Sequence, residues 1–84
     1  MAMTVDGQHL TDAAKSEALK LADNVRANFQ KAMGRRQLRS IASEVGLDVQ
    51  LLHASLRAPN YTLHTLCRLA AIAHLDPVDM LKPP

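Results

Sequence analysis

Residues 38–56 hold the feature that most limits the fold of this chain, because their spacing fits two short helices joined by a tight turn. Ile41 and Val45 lie four positions apart on one predicted helical face. Ala42 lies beside them, where a crossing helix requires a small side chain. Gly46 follows where the first helix should end, in a left-handed conformation that glycine adopts without a Cβ penalty. The first helix of the pair should therefore end at this glycine.

The second helix of the pair is predicted to begin directly after the turn. Leu47 can insert into the core, and Asp48 is a favourable N-cap residue. Leu52 and Leu56 then face inward at an i, i+4 spacing. These signals predict a helix-turn-helix unit over about residues 37–57.

The sequence beyond this unit extends the pattern. Residues 59–70, PNYTLHTLCRLA, and residues 75–81, LDPVDML, have the composition of a loop, a fourth helix and a last short helix. Together with residues 38–56, these segments resemble the helix-turn-helix domains of the lambda repressor and Cro type, including the similar domains of small antitoxins. The resemblance covers residues 22–82 and implies a DNA-binding domain.

The chain departs from that family at three positions. The family often has glutamine or a similar polar residue where this chain has Leu38, an apolar residue at Ser55, and glycine at His74. The family's residue roles are therefore not carried over to these positions.

Local signals and the resemblance together predict an all-α fold, a compact five-helix bundle of the lambda repressor-like type. Residues 1–10 are expected to form a loose N-terminal arm, and residues 11–84 the domain. A long first helix, capped by Thr11 or Asp12, should end at Gly34. The later helices are expected at about 37–45, 49–57, 63–73 and from 77 onward, with Thr62 and Asp76 as the last two N-caps.

Composition narrows the classes of protein further. The 84 residues include one Tyr, one Phe and no Trp, so aliphatic side chains must build a single small core. No apolar run approaches the roughly 20 residues that span a bilayer, and a basic signal-peptide start is missing, so we expect a cytoplasmic protein without membrane contact. Cys67 is predicted to be a small buried hydrophobe. The four histidines lack zinc-ligand spacing, so neither a metal nor a cofactor is predicted.

Charge is distributed unevenly. The segment 24–43 contains five basic residues and no acidic one, whereas both ends of the chain are more acidic. Because the basic segment adjoins the helix-turn-helix unit, it favours double-stranded DNA as the partner.

The predicted third helix would lie in the major groove with its N-terminal side chains toward the bases. The candidate base contacts are Val49, Gln50, His53 and Ala54. Gln50 is the strongest of them, because its amide can donate to and accept from adenine together. The candidate phosphate contacts are Arg35, Arg36, Gln37, Arg39, Arg57, Asn60 and Tyr61.

The fourth helix has more apolar residues than one buried face needs. Leu63, Leu66, Cys67 and Ala70 form the expected inward stripe, and further apolar residues follow them. The fifth helix can cover this surplus through Val78, Met80 and Leu81. The alternative is a homodimer contact by Ile72, Leu75 and Met80.

Three functions fit these features. The first is a Cro-like or immunity-type repressor, of bacterial or phage origin as the family implies, that occupies a promoter and blocks polymerase. The second is the antitoxin of a toxin-antitoxin pair, with the N-terminal arm binding the protein partner. The third is a helix-turn-helix fold used as a protein-interaction module. An enzyme is not expected, because no carboxylate pair, activated nucleophile or phosphate-binding loop is found.

Overall fold

The computed structural model describes residues 7–58 and 61–84, which form five helices and no strand. The helices are α1 (Gly7–Met33), α2 (Leu38–Val45), α3 (Val49–Arg57), α4 (Leu63–Ala73) and α5 (Pro77–Leu81). The prediction of an all-α fold with five helices is confirmed for the described residues. Helix α1 packs on α4 and α5, α2 packs on α3, and α4 packs on α5.

The first helix begins earlier than the sequence predicted. It starts at Gly7, so the expected loose arm is wrong for residues 7–10, and Thr11 and Asp12 lie inside the helix instead of capping it. No proline or glycine occurs between Gly7 and Gly34, so no local breaker stops the helix from extending toward the N-terminus. Residues 1–6 lie outside the described residues.

The turn between α2 and α3 has the predicted geometry. Gly46 adopts φ +75°, and its N–H donates to the Ser43 carbonyl at 3.3 Å. The N–H of Leu47 donates to the Ala42 carbonyl at 2.8 Å, which completes a Schellman motif. The Asp48 carboxylate accepts from the Gln50 N–H at 2.7 Å, as predicted for its N-cap role.

The two later N-caps are also confirmed. The Thr62 hydroxyl accepts from the Thr65 N–H at 3.1 Å at the start of α4. The Asp76 carboxylate accepts from the Val78 N–H at 2.8 Å, with Pro77 in the first turn of α5. Side-chain caps replace backbone partners that a helix start lacks, so these residues fix where α4 and α5 begin.

The core lies where α1 crosses the other helices. Its largest fully buried side chains are Val25, Phe29, Ile41, Leu52, Leu69 and Met80. Leu56 packs against this cluster, as predicted. Val45, expected on the inward face of α2, is instead largely exposed.

The predicted inward stripe of α4 is wrong at two positions. Leu66 and Ala70 are buried as expected, but Leu63 is exposed at the start of the helix. Cys67 is exposed as well. The reason is that the buried face of α4 also includes Leu69, which turns Cys67 toward the solvent side of the helix.

The residue that ends α4 occupies a conformation that suits glycine. His74 has φ +58°, the only positive φ of a non-glycine residue in the described part of the chain. A residue with a Cβ costs about 1–2 kcal/mol in this left-handed conformation. Glycine avoids that cost, but its greater freedom in the unfolded chain offsets part of the gain in stability. We expect His74→Gly to stabilise the fold by up to about 1 kcal/mol, which would raise Tm by about 4–8 °C per kcal/mol in a domain of this size. Thermal unfolding followed by circular dichroism measures this shift.

Gly46 provides the reciprocal control. A Cβ built there meets no atom within 4 Å, so Gly46→Ala changes the backbone cost alone and should destabilise the fold by about 1 kcal/mol. An unchanged or lower Tm for His74→Gly would contradict the assignment of strain to His74.

Candidate nucleic-acid interface

The exposed side of α3 carries most of the predicted base contacts. Gln50, His53 and Ala54 are exposed, whereas Leu52 on the opposite side is buried. Val49 differs from the others because it is half-buried and packs against the core. Helix α3 therefore presents two polar side chains and a small methyl group to solvent, while Leu52 and Leu56 hold it on the domain.

Three of the predicted base contacts, Val49, Gln50 and His53, border a depression in the surface. An open groove of about 500 Å³ lies between the start of α2 and the first turns of α3. Its lining residues are Gln37, Leu38, Arg39, Val49, Gln50 and His53. The groove brings together two candidate phosphate contacts and three candidate base contacts that lie on different helices.

The amide of Gln37 is available at this groove. Gln37 occupies the N-cap position of α2, but its side chain makes no capping hydrogen bond. By contrast, the Asp48 carboxylate already caps the N-terminus of α3. A DNA phosphate would meet a negative charge at that helix start, so phosphate contacts are expected from side chains and not from the α3 dipole.

The predicted arginines fall into two groups. Arg35, Arg39 and Arg57 are exposed, and none of them forms an ion pair within the described residues. Arg36 instead forms an ion pair with Glu44 across the solvent-exposed surface. Exposed pairs of this kind contribute little to stability, so Arg36 is held weakly and could exchange Glu44 for a phosphate.

Two predicted phosphate contacts in the loop after α3 have different outcomes. Asn60 lies outside the described residues. The hydroxyl of Tyr61 donates to the Leu56 carbonyl at 2.8 Å, so its only proton is already used and the predicted phosphate contact is not supported by this geometry. Burial raises the pKa of Tyr61 above its ordinary value, while the nearby Arg26 lowers it. The hydroxyl therefore stays protonated as a donor at neutral pH.

Arg26 is a positioning residue that the sequence did not reveal. Its Nε donates to the Leu56 carbonyl at 2.6 Å, and a terminal amino group donates to the Ala58 carbonyl. Asp23 holds the guanidinium from the same helix at 2.7 Å. The group also lies 5.7 Å from the centre of the Tyr61 ring, within range of a cation–π contact.

These bonds fix the C-terminal end of α3 to α1. The last carbonyls of a helix carry partial negative charge, so a cation there is favourable. Arg26 belongs to the basic segment that favours DNA, but its guanidinium is already bound to groups within the domain. No local pattern signals this role, because its partners lie about thirty positions away.

The three residues predicted to form a dimer contact differ in their exposure. Met80 is 0% exposed and belongs to the core, so the prediction is wrong for this residue. It covers the apolar surplus of α4 from within the subunit, as the first of the two predictions proposed. Leu81 is half-buried beside it, whereas Val78 is 62% exposed and the prediction is wrong for that residue. Ile72 is half-buried and Leu75 is exposed.

The described residues form neither a metal-binding cluster nor a membrane-spanning helix. Among residues 7–58 and 61–84, no group of three or more His, Cys, Asp or Glu side chains is placed to hold a metal ion. None of the described helices combines the length and the apolar character needed to cross a membrane.

Comparison with known proteins gives no family for this chain: no protein-family model, no curated protein and no solved structure matches it.

Proposed function

We propose that the protein is a sequence-specific, double-stranded DNA-binding regulator of transcription, with a helix-turn-helix of the lambda repressor-like type. The observation that carries the proposal is the groove between α2 and α3, where Gln37, Arg39, Gln50 and His53 line one open surface. A three-residue turn containing a left-handed glycine joins the two helices, which is the usual connection in this motif.

In this proposal α3 enters the major groove of DNA. Gln50 would read adenine through its paired donor and acceptor, and His53 would donate to a guanine or a phosphate. Ala54 would contact a thymine methyl, while the half-buried Val49 would do so only at its exposed edge. Arg26 would keep α3 at a constant angle to the domain, although it does not reach the DNA itself.

The exposed arginines would position the domain on the phosphate backbone. Arg35, Arg39 and Arg57 supply three free guanidinium groups, and Arg36 a fourth if it leaves Glu44. Such a protein would act in the cytoplasm of a bacterium or a phage-infected host and would repress by covering a promoter.

A titration of the protein with labelled DNA from the regions flanking its gene tests the proposal. Fluorescence anisotropy with unrelated DNA as competitor should show one fragment bound preferentially. Equal and weak binding to all fragments would instead argue against a sequence-specific regulator.

The salt dependence of the same titration has a predicted magnitude. Three phosphate contacts per subunit give a slope of log affinity against log salt of about −3. Arg39→Gln should reduce this slope by about 1 and weaken binding to all sequences alike. Lys20→Gln is the matched control, since it removes an exposed cation from α1. A slope near zero, or an equal effect of both variants, would contradict the proposed phosphate contacts.

A second candidate function, a protein-interaction module, is favoured by one observation. An open apolar depression of about 300 Å³ lies between the α2–α3 turn and α4, lined by Val45, Leu47, Arg68, Ala71 and Ile72. Ala71→Lys, at an exposed position of this depression, would leave DNA binding intact under the first proposal and would abolish partner binding under the second. The antitoxin alternative has less support, because the arm expected to bind a toxin is helical from Gly7 onward.

A further inference from the structure

A small pocket lies where α1, α2 and α3 meet. Its volume is about 130 Å³, and its walls include Phe29, Met33, Gly34, Arg36, Leu38 and Leu56. Phe29 and Met33 are buried in the core, and Leu38 and Leu56 pack against it. The apolar walls are therefore held in place by the same packing that fixes the helix-turn-helix unit on α1.

The turn between α1 and α2 forms one edge of this pocket without filling it. Gly34 ends α1 with φ +64°, and its N–H donates to the Gln30 carbonyl at 2.9 Å. A Cβ built on Gly34 meets no atom within 4 Å. Because glycine tolerates this left-handed conformation, the chain reverses here and leaves the space beside it open.

The pocket carries a positive charge. Arg36 is the charged residue among those that line it. No acidic residue occurs between Asp23 and Glu44, whereas Lys31 and Arg35 lie close to Arg36 in the sequence. Glu44 pairs with Arg36, but their side chains are 64% and 46% exposed, and exposed pairs of this kind contribute little to stability. An incoming anion therefore has to displace a weakly held carboxylate.

The size and lining of the pocket limit what it can hold. A volume of about 130 Å³ is close to the roughly 150 Å³ of an apolar cavity that binds benzene, and below the roughly 300–1,000 Å³ of sites for drug-sized ligands. A DNA phosphate or an inorganic anion could pair with Arg36, but it would leave the apolar walls uncovered. A ligand that fits both features has an anionic group and a small apolar body.

We propose that this pocket binds a small organic carboxylate whose body is one ring or a short branched carbon chain. The apolar body lies between Phe29, Met33 and Leu56, where it is removed from water. The carboxylate binds Arg36 in place of Glu44, since a planar guanidinium pairs with a carboxylate through two parallel hydrogen bonds.

An occupied pocket would also compete with DNA. Arg36 is a candidate phosphate contact, and its guanidinium cannot pair fully with a bound carboxylate and a phosphate at once. Leu56 lies in the last turns of α3, so the ligand contacts the helix proposed to read the bases. This competition rests on the proposed function, whereas the binding site itself does not.

A titration of the full chain with benzoate, followed by amide NMR of the isotope-labelled protein at constant ionic strength, tests the binding site. We expect saturable shifts of the amide signals of residues 33–38 and 56, with a Kd of about 1–10 mM. Isovalerate, a branched aliphatic carboxylate, should shift the same signals. Benzamide lacks the charge and acetate lacks the apolar body, so each should bind at least about threefold more weakly than benzoate.

Three exposed positions provide matched variants. Arg36→Gln should weaken benzoate binding by about three- to tenfold, because the carboxylate loses its cation. Glu44→Gln should strengthen it by up to about fivefold, because Arg36 then has no competing carboxylate. Arg35→Gln is the control, since Arg35 is an exposed neighbour that does not line the pocket, and it should bind benzoate as the wild type does.

Each outcome decides the proposal. Benzoate shifts at the pocket that Arg36→Gln weakens and Arg35→Gln does not would support it. No saturable shift with benzoate or isovalerate up to about 20 mM, or equal binding of benzoate and benzamide, would overturn it. An equal loss in Arg36→Gln and Arg35→Gln would indicate general charge attraction and would overturn it as well. The titration contains no DNA, so its result is independent of the proposed DNA-binding function.

Discussion

Phe29→Ala should remove a large part of the stability of the fold. Phe29 is 1% exposed and belongs to the core cluster that α1 forms with the other helices. Truncating a buried phenylalanine costs about 3–5 kcal/mol through lost transfer energy and the cavity left behind. A chain of 84 residues has about 4–13 kcal/mol in total. Urea unfolding at a fixed protein concentration should therefore show a large fall in the midpoint, or no folded baseline.

The solvent side of the same helix provides the control for this experiment. Leu19 is 50% exposed, so Leu19→Ala should change stability by no more than about 0.5 kcal/mol. If Phe29→Ala cost less than about 1 kcal/mol, α1 could not be packed on the core as described.

The helix boundaries could largely be predicted, because caps and turns act over short distances. Asp48 and Thr62 each accept a hydrogen bond from an N–H two or three residues ahead, so the sequence near each one contains all the necessary information. The left-handed turn at Gly46 follows from the same local rules. The start of α1 was missed because Thr11 and Asp12 are good caps that the helix does not use.

The roles of single side chains could be predicted less well, because they depend on contacts between distant segments. Arg26 belongs to the basic segment that favours DNA, and Tyr61 was a candidate phosphate contact, yet both side chains donate hydrogen bonds to the end of α3. Cys67 was predicted to be buried but is exposed, because the buried face of α4 is centred on Leu66, Leu69 and Ala70. The burial of Met80 was one of two predictions, and only the packing of α5 on α4 decides between them. The exposed side of α3 was predicted better, because the buried leucines fix the opposite face by helical periodicity alone.

Gln50→Ala combined with His53→Ala should remove the sequence preference of the protein for its DNA site. The two side chains are the polar groups that α3 directs into the groove beside Arg39. A good base contact contributes about 1–3 kcal/mol of discrimination, so the double variant should lose at least about tenfold in the ratio of specific to non-specific affinity. Both residues are exposed, so thermal stability should stay close to that of the wild type.

Competition anisotropy with specific and unrelated DNA measures this ratio. Gln30→Ala, which removes an exposed amide from α1, is the matched control and should leave the ratio unchanged. Binding that weakens equally for both DNAs would assign Gln50 and His53 to backbone contacts. An unchanged ratio in the double variant would mean that α3 does not read bases, and the groove between α2 and α3 would then favour a protein partner over DNA.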